Sequence, residues 1–297
     1  MSQKLVLPNA TVITVSDSVN PDLYWALRGA GGGNFGIVTA FTVNLFPLGS
    51  ISVAQYVWNE TYLNRALDET YNVWTEQDTN PNISIDAYLS HSQATDSFSL
   101  RATERYLVPV QNPAEYLALN SVPAVSSSQQ NTTLAALSGS GTLSTPSRAL
   151  LRGAVQVFQE EMNAVKSVSG FTPFFINYPI PSAAIGRMAD RGGNALGLSD
   201  VDGPLIISFL SLGWQRAEDD ALIGEFADNV VARLESLARR LQVFHDFRYI
   251  GYGRAGQDIF ATYGAENKAR LRKIQQTVDP KGIFASTGLC NGGFKIR

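Results

Sequence analysis

Residues 28–41 read Arg-Gly-Ala-Gly-Gly-Gly-Asn-Phe-Gly-Ile-Val-Thr-Ala-Phe, and Gly31-x-Gly33-x-x-Gly36 inside them spells the dinucleotide fingerprint GxGxxG. Spelling alone is weak evidence in a chain with 25 glycines. The fingerprint works only in the order strand, glycine turn, helix, where the helix N-terminus holds the pyrophosphate. Here the order is reversed. Upstream, Asn20-Pro21-Asp22-Leu23-Tyr24-Trp25 reads as a helix start, with Asn20 as cap, Pro21 at the first helical position and Asp22 in the first turn. Downstream, residues 37–43 (IVTAFTV) are β-branched and aromatic, a strand pattern. Helix, glycine loop, strand is not a Rossmann phosphate turn. The glycines must serve close approach of the backbone to some other group.

The rest of the chain bounds what that group can be. Its 297 residues suit one large domain or two smaller ones, and 44% hydrophobic content is that of an ordinary globular protein. Net charge is −3, from 26 acids against 23 bases, which gives no electrostatic case for nucleic acid. The longest apolar run, residues 204–214, is strand-sized, so no membrane span is expected. One cysteine, Cys290, and two histidines, His91 and His245, exclude a disulfide framework and argue against a zinc site; no metal is expected. A serine hydrolase lacks its G-x-S-x-G elbow. His245 reads as structural and Cys290 as an idle thiol. The N-terminus has no signal-peptide core, yet Asn9, Asn59, Asn82 and Asn131 stand in glycosylation sequons, so localisation stays open.

The first 50 residues read as strand–turn–strand–helix–glycine loop–strand. A strand follows at 51–58, and then Leu63, Leu67, Tyr71 and Trp74 mark one helical face. Residues 83–90 and 97–108 look like paired strands. Residues 122–148, rich in Ser, Thr, Gln and Ala, read as a mobile surface segment with a short ordered piece near 134–137. Residues 151–158 read as a strand, 204–214 as a buried strand, and 222–241 as a long amphipathic helix. Residues 247–252 read as a strand, and a helix over 265–277 stops at Asp279-Pro280. Without strict β-α-β alternation, the class is α+β with a mostly antiparallel sheet flanked by helices on one face.

Three segments together resemble the FAD-linked oxidases with a berberine-bridge-enzyme C-terminus and a PCMH-type FAD-binding domain, in particular their fungal secondary-metabolism branch. They are Asn20–Gly29 with Gly32-Gly33-Asn34-Phe35-Gly36-Ile37-Val38-Thr39, then Gly192-Gly193-Asn194-Ala195-Leu196-Gly197-Leu198, and finally Tyr263-Gly264-Ala265-Glu266-Asn267 with Val278-Asp279-Pro280-Lys281-Gly282-Ile283-Phe284 and Gly292-Gly293-Phe294-Lys295-Ile296. The resemblance runs from near residue 5 to the end. It implies a remnant of the FAD-binding domain over 1–50, a substrate domain over 51–246, and a C-terminal segment over 247–297 that returns to the remnant. It also implies that Gly33, Asn34, Phe35, Gly36, Ile37 and Val38 line the FAD cleft, Gly33 and Gly36 letting the main chain approach the cofactor. The alternative, that the glycines now only join helix to strand, stays open.

The departures matter as much. By the family pattern the N-terminal FAD-binding half, with its pyrophosphate loops and flavin-linking histidine, is missing. Where the family has Asn-Tyr-Ala-Asp, this chain has Gly251-Tyr252-Gly253-Arg254. The tyrosine survives, which implies Tyr252 as the base beside the flavin; Arg254 replaces an acid with a fixed cation. A tyrosine titrating near 10 would need such cations to act as a base.

The reading is an N-terminally truncated FAD-linked oxidoreductase of secondary-metabolite biosynthesis, with Tyr252 and Arg254 as catalytic residues and oxygen as final acceptor. The alternatives are a flavin-independent cyclase or isomerase that reuses the substrate domain, or an inactive fragment. FAD is the implied cofactor, held weakly or not at all by this chain alone. Its partners are a small-molecule substrate and either a second copy, paired through the exposed strand after the glycine loop, or a separate FAD-binding chain.

Overall fold

A computed structural model of the chain describes residues 1–45, 47, 49–132, 142–254, 256–284 and 293–296. Cys290 and the ordered piece expected near 134–137 lie outside the described residues. In chain order the strands are β1 (Ser2–Val6), β2 (Val12–Ser16), β3 (Ile37–Thr42), β4 (Ile51–Asn59), β5 (Ile83–Ser92), β6 (Ser97–Tyr106), β7 (Ser126–Thr132), β8 (Thr142–Ser144), β9 (Thr172–Ile180), β10 (Leu205–Gly213) and β11 (Phe244–Arg248). The helices are α1 (Pro21–Leu27), α2 (Glu60–Gln77), α3 (Leu117–Asn120), α4 (Arg148–Val165), α5 (Ser182–Gly186), α6 (Asp220–Arg240) and α7 (Ala265–Val278). The chain is α+β, and among the described residues the eight strand pairings with a defined register are antiparallel.

The chain forms two compact units. One gathers Met1–Pro47, Ser182–Gly203 and Asp246–Arg297; the other holds Leu48–Pro181 and Pro204–His245. Residues 182–203, which sequence places inside the 51–246 domain, cluster with the chain ends. The first unit has a three-stranded sheet in the order β2-β1-β3. Leu5 and Val15 are fully buried, as are most of the apolar residues of α1. Arg270 of α7 reaches α1, pairing with Asp22 at 2.6 Å and lying 4.0 Å over the Trp25 ring.

The second unit is built on an eight-stranded sheet in the order β11-β8-β10-β9-β5-β6-β4-β7. Strict alternation along β5 sends Ile83, Ile85, Ala87 and Leu89 into the core. There they meet the stripes of α2, α4 and α6. Buried indoles are anchored by hydrogen bonds: Trp58 Nε1 donates to the Val122 carbonyl and Trp74 Nε1 to that of Ile85, both at 3.1 Å. Phe158 sits among Phe98, Phe175 and Phe226, with ring centroids 5.9–6.2 Å away.

Four local expectations are corrected. Residues 151–158 are helical within α4, not a strand. Their apolar spacing continues in three- and four-residue steps to Met162 and Val165, and the Ser147 hydroxyl caps the helix by accepting the Leu150 N–H at 3.2 Å. Part of the segment read as mobile is the edge strand β7, whose polar sequence pairs with β4 along the backbone, Gln129 Nε2 also donating to the Ser52 hydroxyl at 3.4 Å. The 247–252 strand ends at Arg248; Gly251 lets residues 250–252 turn as a 3₁₀ helix closed by Tyr252 N–H to the Tyr249 carbonyl at 3.0 Å. Asn20 does not cap α1 by its side chain: it sits at φ 53° and donates from Nδ2 to the Thr14 carbonyl at 2.9 Å, tying the helix to β2.

Candidate functional site

The three familiar segments interlock within the first unit, and the glycines are the places where they touch. Tyr263 Oη donates to the Gly29 carbonyl at 2.9 Å, and Ala195 N–H to that of Arg28 at 3.1 Å. A Cβ on Gly29 would press on Leu196 and one on Gly197 would strike the Tyr263 carbonyl. A Cβ on Gly31 would lie 2.7 Å from Ile250 Cδ1, so the glycine loop packs directly on the turn that carries Tyr252. The tail follows the same rule. Asp279 is buried and accepts the N–H groups of Ile283 and Phe284 at 2.7 and 2.8 Å, which fixes the Asp-Pro-Lys-Gly-Ile-Phe turn.

The side chains of Asn34 and Phe35 are turned into the unit. Asn34 Nδ2 donates to the carbonyls of Ala30 (3.0 Å) and Phe294 (2.9 Å), and its Oδ1 accepts the Ile296 N–H at 3.3 Å. Lys295 Nζ donates to the Gly33 carbonyl at 3.0 Å and to that of Phe284 at 3.1 Å. These residues clip loop to tail and leave no side-chain atom of Asn34 free for a cofactor. Gly36 meets the Val6 carbonyl where its Cβ would stand, a contact between strands. What the loop does offer a flavin is backbone at Gly31 and Gly32, which are exposed, with nothing within 4 Å of a Cβ on Gly32. Beyond it Ile37 is exposed and Val38 half-buried on β3. That fits one wall of a large planar cofactor.

Tyr252 is half-buried, its ring 5.1 Å from that of Tyr249 in an edge-on arrangement. Gly253 follows because a side chain there would collide with Phe294 and Ile259. Arg254 is exposed, and its N–H donates to Gln257 Oε1 at 2.8 Å. A cleft of about 590 Å³ opens beside this turn, walled by Gly253, Gly256–Phe260 and Gly293–Lys295. Among the described residues, no group of three or more His, Cys, Asp or Glu could hold a metal.

A second chemical surface, which sequence reading missed, lies on the second unit. The face of the sheet opposite its core carries Asp86 and Tyr88 on β5, Arg101 and Arg105 on β6, Phe174, Ile176 and Tyr178 on β9, and Phe209 on β10. Arg105 pairs with Asp86 at 2.8 Å, and Tyr88 Oη donates to Asp86 at 3.2 Å. Burial, then the Asp86 charge, push the Tyr88 phenol up from its ordinary value. The alternation of β5 is the available signal; the neighbours of Tyr88 come from strands far apart in sequence.

No family model matches the chain. It is 27% identical over 321 residues to an FAD-dependent monooxygenase of Fusarium proliferatum, covering 99% of this chain and 61% of that protein. It is 28% identical over 313 residues to an FAD-dependent monooxygenase of Aspergillus calidoustus, covering 100% and 59%. The chain thus spans about 60% of the length of the curated relatives it matches. Among solved structures, 6-hydroxy-D-nicotine oxidase from Arthrobacter nicotinovorans superposes with a TM-score of 0.70 at 17% identity, over 100% of this chain and 66% of that one. A berberine bridge enzyme variant does so at 0.66 and 13%, over 100% and 65%. The architecture is the one these oxidases share.

Proposed function

We propose that the chain is the substrate-side portion of an FAD-linked oxidoreductase acting on a small molecule of fungal secondary metabolism. The observation that carries this reading is the junction in the first unit: Gly31, next to the open Gly32, packs on Ile250, two residues before Tyr252. Gly31, Gly32, Ile37 and Val38 would hold one side of the cofactor. A bound flavin would supply the two-electron acceptor, which no side chain can replace. Tyr252 takes the proton of a substrate hydroxyl as its carbon is oxidised, and Arg254 adds a fixed cation to the same turn. In the flavin-loaded protein, Tyr252→Phe should lower kcat by roughly 10²–10⁴, the usual worth of a general base. An unchanged kcat would make Tyr252 a packing residue.

One wall does not enclose a ligand as large as FAD, since small-molecule sites bury most of the ligand surface. The purified chain alone should therefore lack the flavin absorption band near about 450 nm that marks the cofactor. Stoichiometric flavin retained through gel filtration would refute that expectation.

The edge strand β3 bears on partners. Ile37, Phe41 and Val43 are 51%, 67% and 59% exposed, and Leu45 is 91% exposed. Among the described residues no strand pairs with the outer edge of β3, and an apolar open edge invites a second strand. We propose a self-associated dimer through β3. Light scattering should report twice the chain mass, falling to one chain for Ile37→Lys/Phe41→Lys. A monomeric wild-type chain would end this idea.

A further inference from the structure

The face of the eight-stranded sheet opposite its core carries an ordered cross-strand row. Tyr88 stands opposite Arg101 on one side and Ile176 on the other, and Ile176 stands opposite Phe209. The neighbouring row runs Ser99, Ser90, Phe174, Ser211 in the same way. Four strands at the usual spacing make a platform about 14 Å wide, enough for two or three fused rings. Tyr88, Phe174, Ile176 and Phe209 on it are half-buried.

Two arginines on this face differ in kind. Arg105 is buried and its charge is matched by Asp86 at 2.8 Å. Arg101 makes no ion pair with a described carboxylate. Its guanidinium lies 4.9 Å from the Tyr88 ring centroid and 6.0 Å from that of Phe174. The face therefore combines ring surface with a half-buried cation close to it that has no carboxylate partner among the described residues. A guanidinium in that setting attracts a planar anion, which it can meet with two parallel hydrogen bonds.

We propose that this face seats a planar aromatic molecule bearing an acidic group, a carboxylate or an acidic phenol, with Arg101 as its anion anchor and Phe174 and Phe209 as its stacking surface. The proposal rests on the oxidoreductase reading only for taking that molecule to be the substrate. Binding itself needs no flavin and no turnover, so its failure and that of the redox reading are told apart.

The test is equilibrium binding of 2-naphthoate and of its neutral isostere 2-naphthamide to the full chain, followed by fluorescence or calorimetry. Naphthoate should bind at least tenfold more tightly than the amide, and its binding should weaken with added salt. Arg101→Gln should weaken naphthoate roughly tenfold or more and leave the amide unchanged. Arg101→Lys, which keeps charge but not the fork, should lie between and serves if the glutamine variant fails to fold. Phe174→Ala should weaken both probes alike. Equal affinity for the two probes, no binding of naphthoate at millimolar concentration, or indifference to both Arg101 substitutions would overturn the proposal.

Discussion

Asn34→Ala is expected to cost the protein about 3–5 kcal/mol of unfolding free energy, read as a shift of the urea midpoint with little change in slope. Asn34 is completely buried and closes three backbone groups at once: the carbonyls of Ala30 and Phe294 and the N–H of Ile296. Alanine leaves all three without a partner, and each orphaned buried group costs about 1–3 kcal/mol. Water can reach some of them, since Phe294 and Lys295 are only half-buried, which keeps the total below the sum. Asn34→Asp should do no better: it keeps an acceptor for Ile296 but faces two carbonyls with a carboxylate. A loss under about 1 kcal/mol on Asn34→Ala would mean that loop and tail are held by other contacts.

That side chain also shows what the sequence makes legible and what it hides. The helix–loop–strand order around residues 28–41 is enough by itself to exclude a Rossmann phosphate turn, because local propensity decides such elements. The stripe of α2 is readable for the same reason: four apolar positions at helical spacing can bury only one way, whereas on α6 Leu222 is exposed and Ile223 takes the core place beside Phe226 and Val230. The helix α4 reads as a strand because Val155 and Val157 look strand-like in a short window, and the cap at Ser147 outweighs them. The polar strand β7 is invisible in sequence because its place in the sheet comes from pairing with β4 and not from an apolar face of its own. The site divides likewise. Motif spelling singles out the glycine loop, yet the jobs of Asn34 and of Gly29, Gly31 and Gly197 are contacts with residues far along the chain. The Arg101 platform assembles four strands, and no spacing in one of them announces the others.

Glu104→Gln is expected to remove a loss of stability on the alkaline side that the wild-type protein shows. Glu104 lies on the core side of β6 and is 2% exposed. Asn120 Nδ2 donates to its Oε2 at 3.3 Å, while Oε1 and the Asn120 Oδ1 are buried without a hydrogen-bond partner. Among the described residues no cation balances the carboxyl, and the hydroxyl-bearing rings of Tyr56 and Tyr116 lie within electrostatic range. Burial therefore pushes its pKa from 4.5 up to about 8, against the smaller pull of the Asn120 bond. The unfolded chain gives up this proton near pH 4.5, the folded one near pH 8. Between those values unfolding releases a proton, so stability present at low pH drains away as pH rises and is gone above the folded value. The full span corresponds to a few kcal/mol, at about 1.4 kcal/mol per pKa unit. Glutamine keeps the shape and cannot ionise. The variant should match the wild type near pH 5 and exceed it by several kcal/mol near pH 9, the gap opening roughly linearly up to about pH 8 and level above it. The difference between the two proteins is the quantity to plot, because carboxylates held low by cations, such as Asp68 beside Arg152 and Arg148, titrate alike in both. A difference that stays flat from pH 5 to pH 9 would show that Glu104 is ionised in the folded protein throughout that range.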